Sequence, residues 1–331
     1  MIVFLNGQFV PEEQAVISVF DRGFLYGDGL FETFRVFNGI PFRWDQHMER
    51  LHQGAEFLKI PLPSTPERLR DFARELVARN SMPDSLLRLT VSRGVGIRGY
   101  SPKGAGSPAL VMSLHPAPKL DAGNPPRWRL VTSSSRLPAN EPLARFKTCN
   151  KLPQILSRSE ADSVNADEAL LLNTNGDVVE ASSSNLFWIE EGAICTPPLP
   201  SGILPGVTRA VVFEVCYKLG VEAREASIGL EQLCRAEGVF LSLSTVGIAE
   251  GISLDGQALA HSPLVGKLSA TYWELLHNET GEKFRPQRHQ FCRSMTQIRG
   301  RPSSIMIRSK LNRTGELALP EQAFFLILSR H

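Results

Sequence analysis

The sequence predicts a two-domain α+β chain, on three observations. Its 331 residues exceed what a single hydrophobic core usually organises. Short alternating runs meet at Asn6-Gly7, Asn38-Gly39 and Asn175-Gly176, pairs whose tolerance of positive φ suits tight hairpins. The stretch "PAPKLDAGNPP", residues 116–126, is rich in Pro, Gly and Asn and reads as a link between packed units. The expected division is a smaller N-terminal α+β domain over 1–118, a linker over 119–126, a larger C-terminal α+β domain over 127–278, and a basic, disordered tail over 279–331.

The elements follow in order. "MIVFLNGQFVPEEQAVISVFDRG" alternates as a strand pair turning at Asn6 and Gly7, and "FETFRVFNGIPFRW" as a hairpin turning at Asn38 and Gly39. In the helix that follows, Asp45 can act as cap, Met48, Leu51, Ala55 and Leu58 recur at helical spacing, and Pro61 and Pro63 stop it. A second helix runs from about Pro66 to Ala78, with Leu69, Phe72, Ala73 and Leu76 on one side. "LLRLTVSR" and "PALVMSLHPAP" are β-rich. After the linker "RWRLVTSS" is a strand, and the helix behind "FKTCN" is expected to turn Leu152, Ile155 and Leu156 inward. "EALLLNTNGDVVEASSSNLFWIEEGAICTP" divides into three strands at Asn175-Gly176 and Glu191-Gly192. "VTRAVVFEVCYKLG" is a helix closed by Gly220, "GVFLSLSTVGIAEG" a β-rich run and "PLVGKLSATYWELLHNE" the last helix.

Composition excludes several classes. A net charge of +2 makes no field for a polyanion, so no nucleic-acid partner is expected. The five cysteines are odd in number, scattered and without a CxxC pair, which suggests neither a disulfide framework nor a zinc site; no metal is expected, and a reducing cytoplasm fits. The N-terminus lacks the basic start and long apolar run of a signal peptide, and no run reaches membrane-spanning length.

"GVGIRG", Gly94 to Gly99, matches a dinucleotide-binding pattern, but its continuation "YSPKGAGSP" cannot open the helix that a pyrophosphate needs. The loop carries Arg98, which can meet a carboxylate through two parallel hydrogen bonds or stay in solvent. "FKTCNK" sets Lys147 just before a helix and Lys151 in its first turn. A lysine is nucleophilic only when neutral, through desolvation or a neighbouring cation. Each alone reads as an ordinary surface charge, and Lys151, whose cation opposes the helix dipole, is expected in solvent.

The partners that a phosphorylated aldehyde cofactor needs are nevertheless present. "GILPGVTRAVV" places Val207 and Thr208 at a helix N-terminus, where free amides hold phosphate. "SLSTVG" adds Ser244 and Thr245, and Arg50 in "HMERL" supplies charge. Glu180 lies in a strand run beside Val178, Val179, Leu186 and Phe187, where a carboxylate is costly unless it has a partner such as a protonated ring nitrogen. Plainer roles stay open: capping for Thr208, a turn for Thr245, a surface ion pair for Arg50.

With these residues in place, the chain resembles the fold-type IV pyridoxal-phosphate enzymes of the class IV aminotransferase family. The likeness covers about residues 2 to 276 and rests on "DRGFLYGDGLFETFRVFNG", "HMERL", "FKTCNKLPQ", "NADEALLLNTNGDVVEASSSNLFWI" and "GILPGVTR". It implies a D-amino-acid aminotransferase-like two-domain fold whose larger domain binds pyridoxal 5'-phosphate, and a homodimer. The family's K-x-x-N element falls on Lys147 to Asn150, which makes Lys147 the Schiff-base lysine and leaves Lys151 as a helix-start residue. By the same resemblance Arg50 binds the cofactor phosphate, Glu180 the ring nitrogen, and Val207, Thr208, Ser244 and Thr245 complete the phosphate cup. Phe31 stands on the substrate side, where D-amino-acid aminotransferases carry a tyrosine.

"FETFR" and "IRGYSP" are most similar to 4-amino-4-deoxychorismate lyase, with Thr33 as a catalytic and Arg98 as a substrate-binding position. The resemblance thus implies a folate-biosynthetic lyase that converts 4-amino-4-deoxychorismate, a small-molecule amine, to 4-aminobenzoate and pyruvate. The alternatives are a class IV aminotransferase acting on branched-chain L-amino acids or D-amino acids, and a cofactor-free binding protein with a degenerate site.

Overall fold

The computed structural model describes residues 1–121 and 123–281. β1 (Ile2–Leu5) and β2 (Gln8–Pro11) form the first hairpin, with Asn6 and Gly7 at φ 48° and 93°. α1 (Arg22–Tyr26) is absent from the sequence reading; the Asp21 carboxylate caps it by accepting from the Gly23 and Phe24 amides. β3 (Gly29–Phe37) turns into β4 (Ile40–Pro41) at Asn38-Gly39.

α2 (Trp44–Leu58) buries Met48, Leu51 and Ala55 as their spacing predicts. Asp45 does not cap it. The short β4 delivers the chain so that Arg43, in the left-handed conformation, holds the cap position, and Asp45 falls within the first turn. Lys59, also left-handed, ends the helix ahead of Pro61. α3 (Pro66–Asn80) is capped by Thr65. With β5 (Ser85–Ser92) and β6 (Ala109–Pro116) these strands make a six-stranded sheet of order β2-β1-β6-β5-β3-β4. Leu30, Phe34, Leu87, Leu89 and Met112 on one face of it pack with Met48, Leu69 and Leu76 of the two helices. The opposite face carries Phe31, Thr33 and Arg88 by strand alternation.

The second sheet has nine strands. Its elements are β7 (Arg127–Leu137), α4 (Leu152–Ser163), β8 (Glu168–Asn173), β9 (Val178–Ala181), β10 (Asn185–Glu190), β11 (Ala193–Thr196), α5 (Val207–Leu219), β12 (Ala223–Glu225), α6 (Leu230–Leu233), β13 (Gly238–Leu243), β14 (Gly247–Leu254), β15 (Gln257–Ala258) and α7 (Pro263–Thr280). β9 pairs with both β8 and β10, so the sheet closes on itself. The run expected to hold three strands holds four. Its unforeseen turn spans Ser182 to Ser184, carries no Gly or Asn, and is closed by the Ala181 amide donating to the Ser184 carbonyl.

α4 faces the other way from the expectation. Leu152, Ile155 and Leu156 are 65%, 59% and 59% exposed, while Ser157 and Ala161 turn inward. The reason is the surface it meets: β7 presents the buried Ser133, whose hydroxyl donates to Ser157 Oγ at 2.8 Å, so small residues make the closer fit. Phe20 and Phe24 are also exposed. α7 reaches Thr280, slightly beyond the expected start of the basic tail, and residues 282–331 of that tail lie outside the described residues. Among the described residues no helix is long and apolar enough to cross a membrane, and no cluster of His, Cys, Asp and Glu could hold a metal ion.

Candidate active site

Lys147 is held by strand-like pairing along the start of β3. The Phe31 amide donates to the Lys147 carbonyl and the Cys149 amide to the Gly29 carbonyl, both at 2.9 Å. This fixes the backbone on either side of Lys147 and carries its Nζ to 4.7 Å from the centroid of the Phe31 ring. Arg88, paired across the strands with Thr33, brings its guanidinium carbon to 3.8 Å from the same centroid. The quadrupole of one phenyl ring thus meets two cations.

A cavity of about 300 Å³ opens where the two sheets meet. Phe31, Thr33, Arg50, Lys147, Glu180, Val207, Thr208, Ser244 and Thr245 all line it. Every expected site residue except Arg98 is therefore brought to one place. Arg98 is exposed and absent from the lining, because its loop is held elsewhere: Arg22 donates to the carbonyls of Gly99, Tyr100 and Ser101.

The electrostatics differ from corner to corner. Protein encloses the Lys147 amine, and this burial, reinforced by the Arg50 charge, pushes it down to about 8. Burial alone would raise the Glu32 carboxyl, but the Arg50 charge and the His47 hydrogen bond outweigh it and hold the group at about 2. Arg50 Nε donates to Glu32 Oε1 at 2.8 Å and Nη2 to Oε2 at 2.6 Å, while Nη1 donates to the Pro205 carbonyl at 2.9 Å. A guanidinium has five N–H donors, so two are left for a ligand. Glu180 behaves oppositely. Burial pushes its carboxyl up against the pull of the Leu204 amide, which donates to Oε2 at 3.0 Å, and of Lys151 and Lys147.

At the far corner α5 begins at Gly206 with no side-chain cap, leaving its first amides for a ligand. A Cβ on Gly206 would lie 2.0 Å from Asn185 Oδ1, so only glycine lets the helix end approach this closely. Thr208 Oγ1 lies 3.4 Å from Ser244 Oγ.

Several lining residues escaped the sequence reading. Lys151 is not in solvent: it is the N-cap of α4, outside the helical cylinder, and lines the cavity, where burial lowers its amine. Gln154 and Ser182 to Asn185 also face the cavity. Ser182 and Ser183 donate to the fully buried Glu168 carboxylate, the latter at 2.6 Å. The run of three serines within a strand-rich segment was the available signal; for Glu32, His47 and Arg88, which stand behind Arg50 and Phe31 and are not lining residues, it was polar residues at alternating strand or helical positions. Gln154 Oε1, Ser184 Oγ and Ser242 Oγ are buried around the cavity with no hydrogen-bond partner among the described residues. Such orphans call for a polar ligand, and a phosphate-bearing heterocycle fits the donors, hydroxyls and acid present.

The fold and the residues gathered in the cavity suit an enzyme that uses a phosphate-bearing cofactor. The chain belongs to the class IV amino-transferase family, whose profile matches residues 29–253. Its α+β architecture is fold type IV, that of pyridoxal-phosphate-dependent enzymes. The chain is 35% identical over 269 residues, 81% of its length and 93% of the relative's, to a Methanocaldococcus jannaschii protein provisionally named a branched-chain-amino-acid aminotransferase. Its fold matches the branched-chain aminotransferase of the archaeon Thermoproteus uzoniensis, solved with norvaline, at a TM-score of 0.78, with 30% identity, over 84% of this chain and 95% of that one. It also matches 4-amino-4-deoxychorismate lyase from Pseudomonas aeruginosa at 0.72, with 32% identity, over 85% of this chain and all of that one.

Proposed function

We propose that the chain is an aminotransferase that moves an amino group between a branched-chain α-amino acid and an α-keto acid. The observation that carries the reading is the enclosed Lys147 amine, lowered to about 8 and sharing its cavity with the buried acid Glu180. Similarity to proteins named as branched-chain aminotransferases favours this over the lyase expectation. Arg98, one of the two lyase-like positions, is exposed and does not line this chain's cavity.

Bound pyridoxal 5'-phosphate supplies an aldehyde carbon that links to amines and a ring that accepts electrons. In this reading Lys147 Nζ would hold that carbon at rest, and the same amine, when neutral, would be the base that takes up and gives back the proton at the substrate α-carbon. Glu180 keeps the ring nitrogen protonated. Arg50, through its two remaining donors, holds the phosphate with the α5 amides and the hydroxyls of Thr208, Ser244 and Thr245. Arg88, which forms no ion pair among the described residues, anchors the substrate carboxylate beside Phe31.

A lyase remains the second reading, favoured by Thr33 at the cavity wall, where its hydroxyl would assist proton return by Lys147. A single turnover separates the two. Mixing stoichiometric holoenzyme with L-leucine is expected to convert the cofactor to its amine form, with D-alanine as the stereochemical control. A cofactor that stays an aldehyde while 4-amino-4-deoxychorismate yields pyruvate and 4-aminobenzoate would select the lyase; no reaction with any of the three would remove both readings.

A homodimer belongs to the same proposal. Leu152, Ile155 and Leu156 expose apolar surface on the helix that carries Lys151 and Gln154 into the cavity, a face that marks an interaction surface and that the resemblance to a dimeric family assigns to a second copy. Ile155→Glu should sediment as a monomer where the wild type sediments as a dimer. A wild-type monomer, or an unaltered dimer in the variant, speaks against it.

A further inference from the structure

We propose that Lys151 is a cofactor-binding residue whose ammonium donates to the ring hydroxyl oxygen of bound pyridoxal 5'-phosphate, with Gln154 as its second acceptor. The inference rests on the site reading above and concerns a corner that the reading leaves unassigned.

The argument is the fixed order of groups around a rigid ring. The aldehyde carbon stands opposite the ring nitrogen, with the phosphate arm next to it on one side and the hydroxyl on the other. With Lys147 at the aldehyde, Glu180 at the nitrogen, and Arg50 with the start of α5 and Ser244 at the phosphate, the hydroxyl must face the remaining flank. That flank joins the Lys147 and Glu180 corners away from the phosphate, and Lys151, at the N-cap of α4, is the one cationic side chain of the lining that the site reading leaves without a role.

Lys151 lines the same cavity as Lys147 and Glu180, from the N-cap of α4 four residues after Lys147. Glu180 is the foremost charge acting on its amine, ahead of Cys149 and Arg50, and Lys147 in turn feels the Lys151 charge. Desolvating a second ammonium beside Lys147 is unfavourable without an anionic partner. The ring hydroxyl is acidic and readily becomes that partner, and a charge-assisted hydrogen bond offsets the desolvation. Gln154 Oε1, buried and without a hydrogen-bond partner among the described residues, lies three residues on, in the first turn of α4. The plainer alternative is that Lys151 only neutralises Glu180, in which case it would not sense the hydroxyl at all.

A cycle between protein and ligand distinguishes these roles. The affinities of cofactor-stripped wild type, Lys151→Met and Lys151→Arg are measured by fluorescence quenching with pyridoxal 5'-phosphate and with its analogue lacking the ring hydroxyl. Loss of a charge-assisted hydrogen bond predicts about tenfold weaker binding of pyridoxal 5'-phosphate by Lys151→Met, and a change below about twofold for the analogue. Lys151→Arg should keep most of the affinity, since it retains a cationic donor. Equal losses for both ligands, or no loss, overturn the proposal. Lys151→Gln serves the same cycle should the methionine variant not fold. Borohydride trapping is run alongside: an adduct at Lys147 with a flat cycle rejects the role of Lys151 alone, whereas no adduct at Lys147 in the wild type rejects the site reading itself.

Discussion

Lys147→Met is expected to lose the covalent link to the cofactor and to lower turnover by on the order of 10⁴-fold or more, because one amine serves as tether and as general base. The variant should remain folded. Lys147 forms no ion pair among the described residues, and a methionine stem fills similar space beside the Phe31 ring, which the amine contacts at 4.7 Å. Its amine is pushed down to about 8, so replacement by a neutral side chain also removes the unfavourable approach of Arg50 to a second cation. Two readouts check the result: the absorbance of the protein-bound aldehyde, which should match that of the free cofactor, and steady-state rate. Wild-type colour and rate in Lys147→Met would dismiss the assignment.

Arg50→Met is expected to be damaging in a different way, to stability first and to cofactor affinity second. Glu32 is fully buried, and its two oxygens are satisfied by Arg50 Nε, Arg50 Nη2 and His47 Nδ1. Removing the guanidinium strands a buried carboxylate, a change that typically costs about 3–5 kcal/mol. The dependence on pH follows from the depressed carboxyl of Glu32. Its contribution is complete above the ordinary value of 4.5 and is lost as pH falls toward about 2, so wild-type stability should decline over that window and the decline should be smaller in the variant. Urea unfolding of the cofactor-free proteins from pH 7 to pH 3 measures both effects. An Arg50→Met protein as stable as wild type, with the same acid slope, would show that Glu32 finds another partner.

Local chemistry made much of the fold legible. Asn6-Gly7 and Asn38-Gly39 mark hairpins because their positive φ is needed for the turn, and Gly220 marks the end of α5 for the same reason. The turn from Ser182 to Ser184 has no such marker and depends on pairing between β9 and β10, so it could not be read. The spacing of Leu152, Ile155 and Leu156 defines an apolar face but not what covers it, and α4 buries Ser157 and Ala161 instead.

The candidate site shows the same division. Glu180 was legible because a carboxylate amid Val178, Val179, Leu186 and Phe187 demands a partner. Lys147 was not separable from Lys151 by local argument, since what lowers its amine is enclosure by distant chain segments; only the likeness to a family singled it out. The dipole argument placed Lys151 in solvent because it treats a helix as isolated, whereas here the N-cap borders a cavity between two sheets. That Arg98 lies outside this chain's cavity could not be read locally, because the direction of its loop is set by Arg22, 76 positions earlier in the chain and donating to three carbonyls around residue 100.

The most direct test is reduction of the cofactor-loaded protein with borohydride, followed by proteolysis and mass mapping of the pyridoxyl group. The modification should sit on Lys147, in the peptide containing "FKTCNK", and disappear in Lys147→Met. A pyridoxyl group found on Lys151 or elsewhere, or on no residue, would contradict the account.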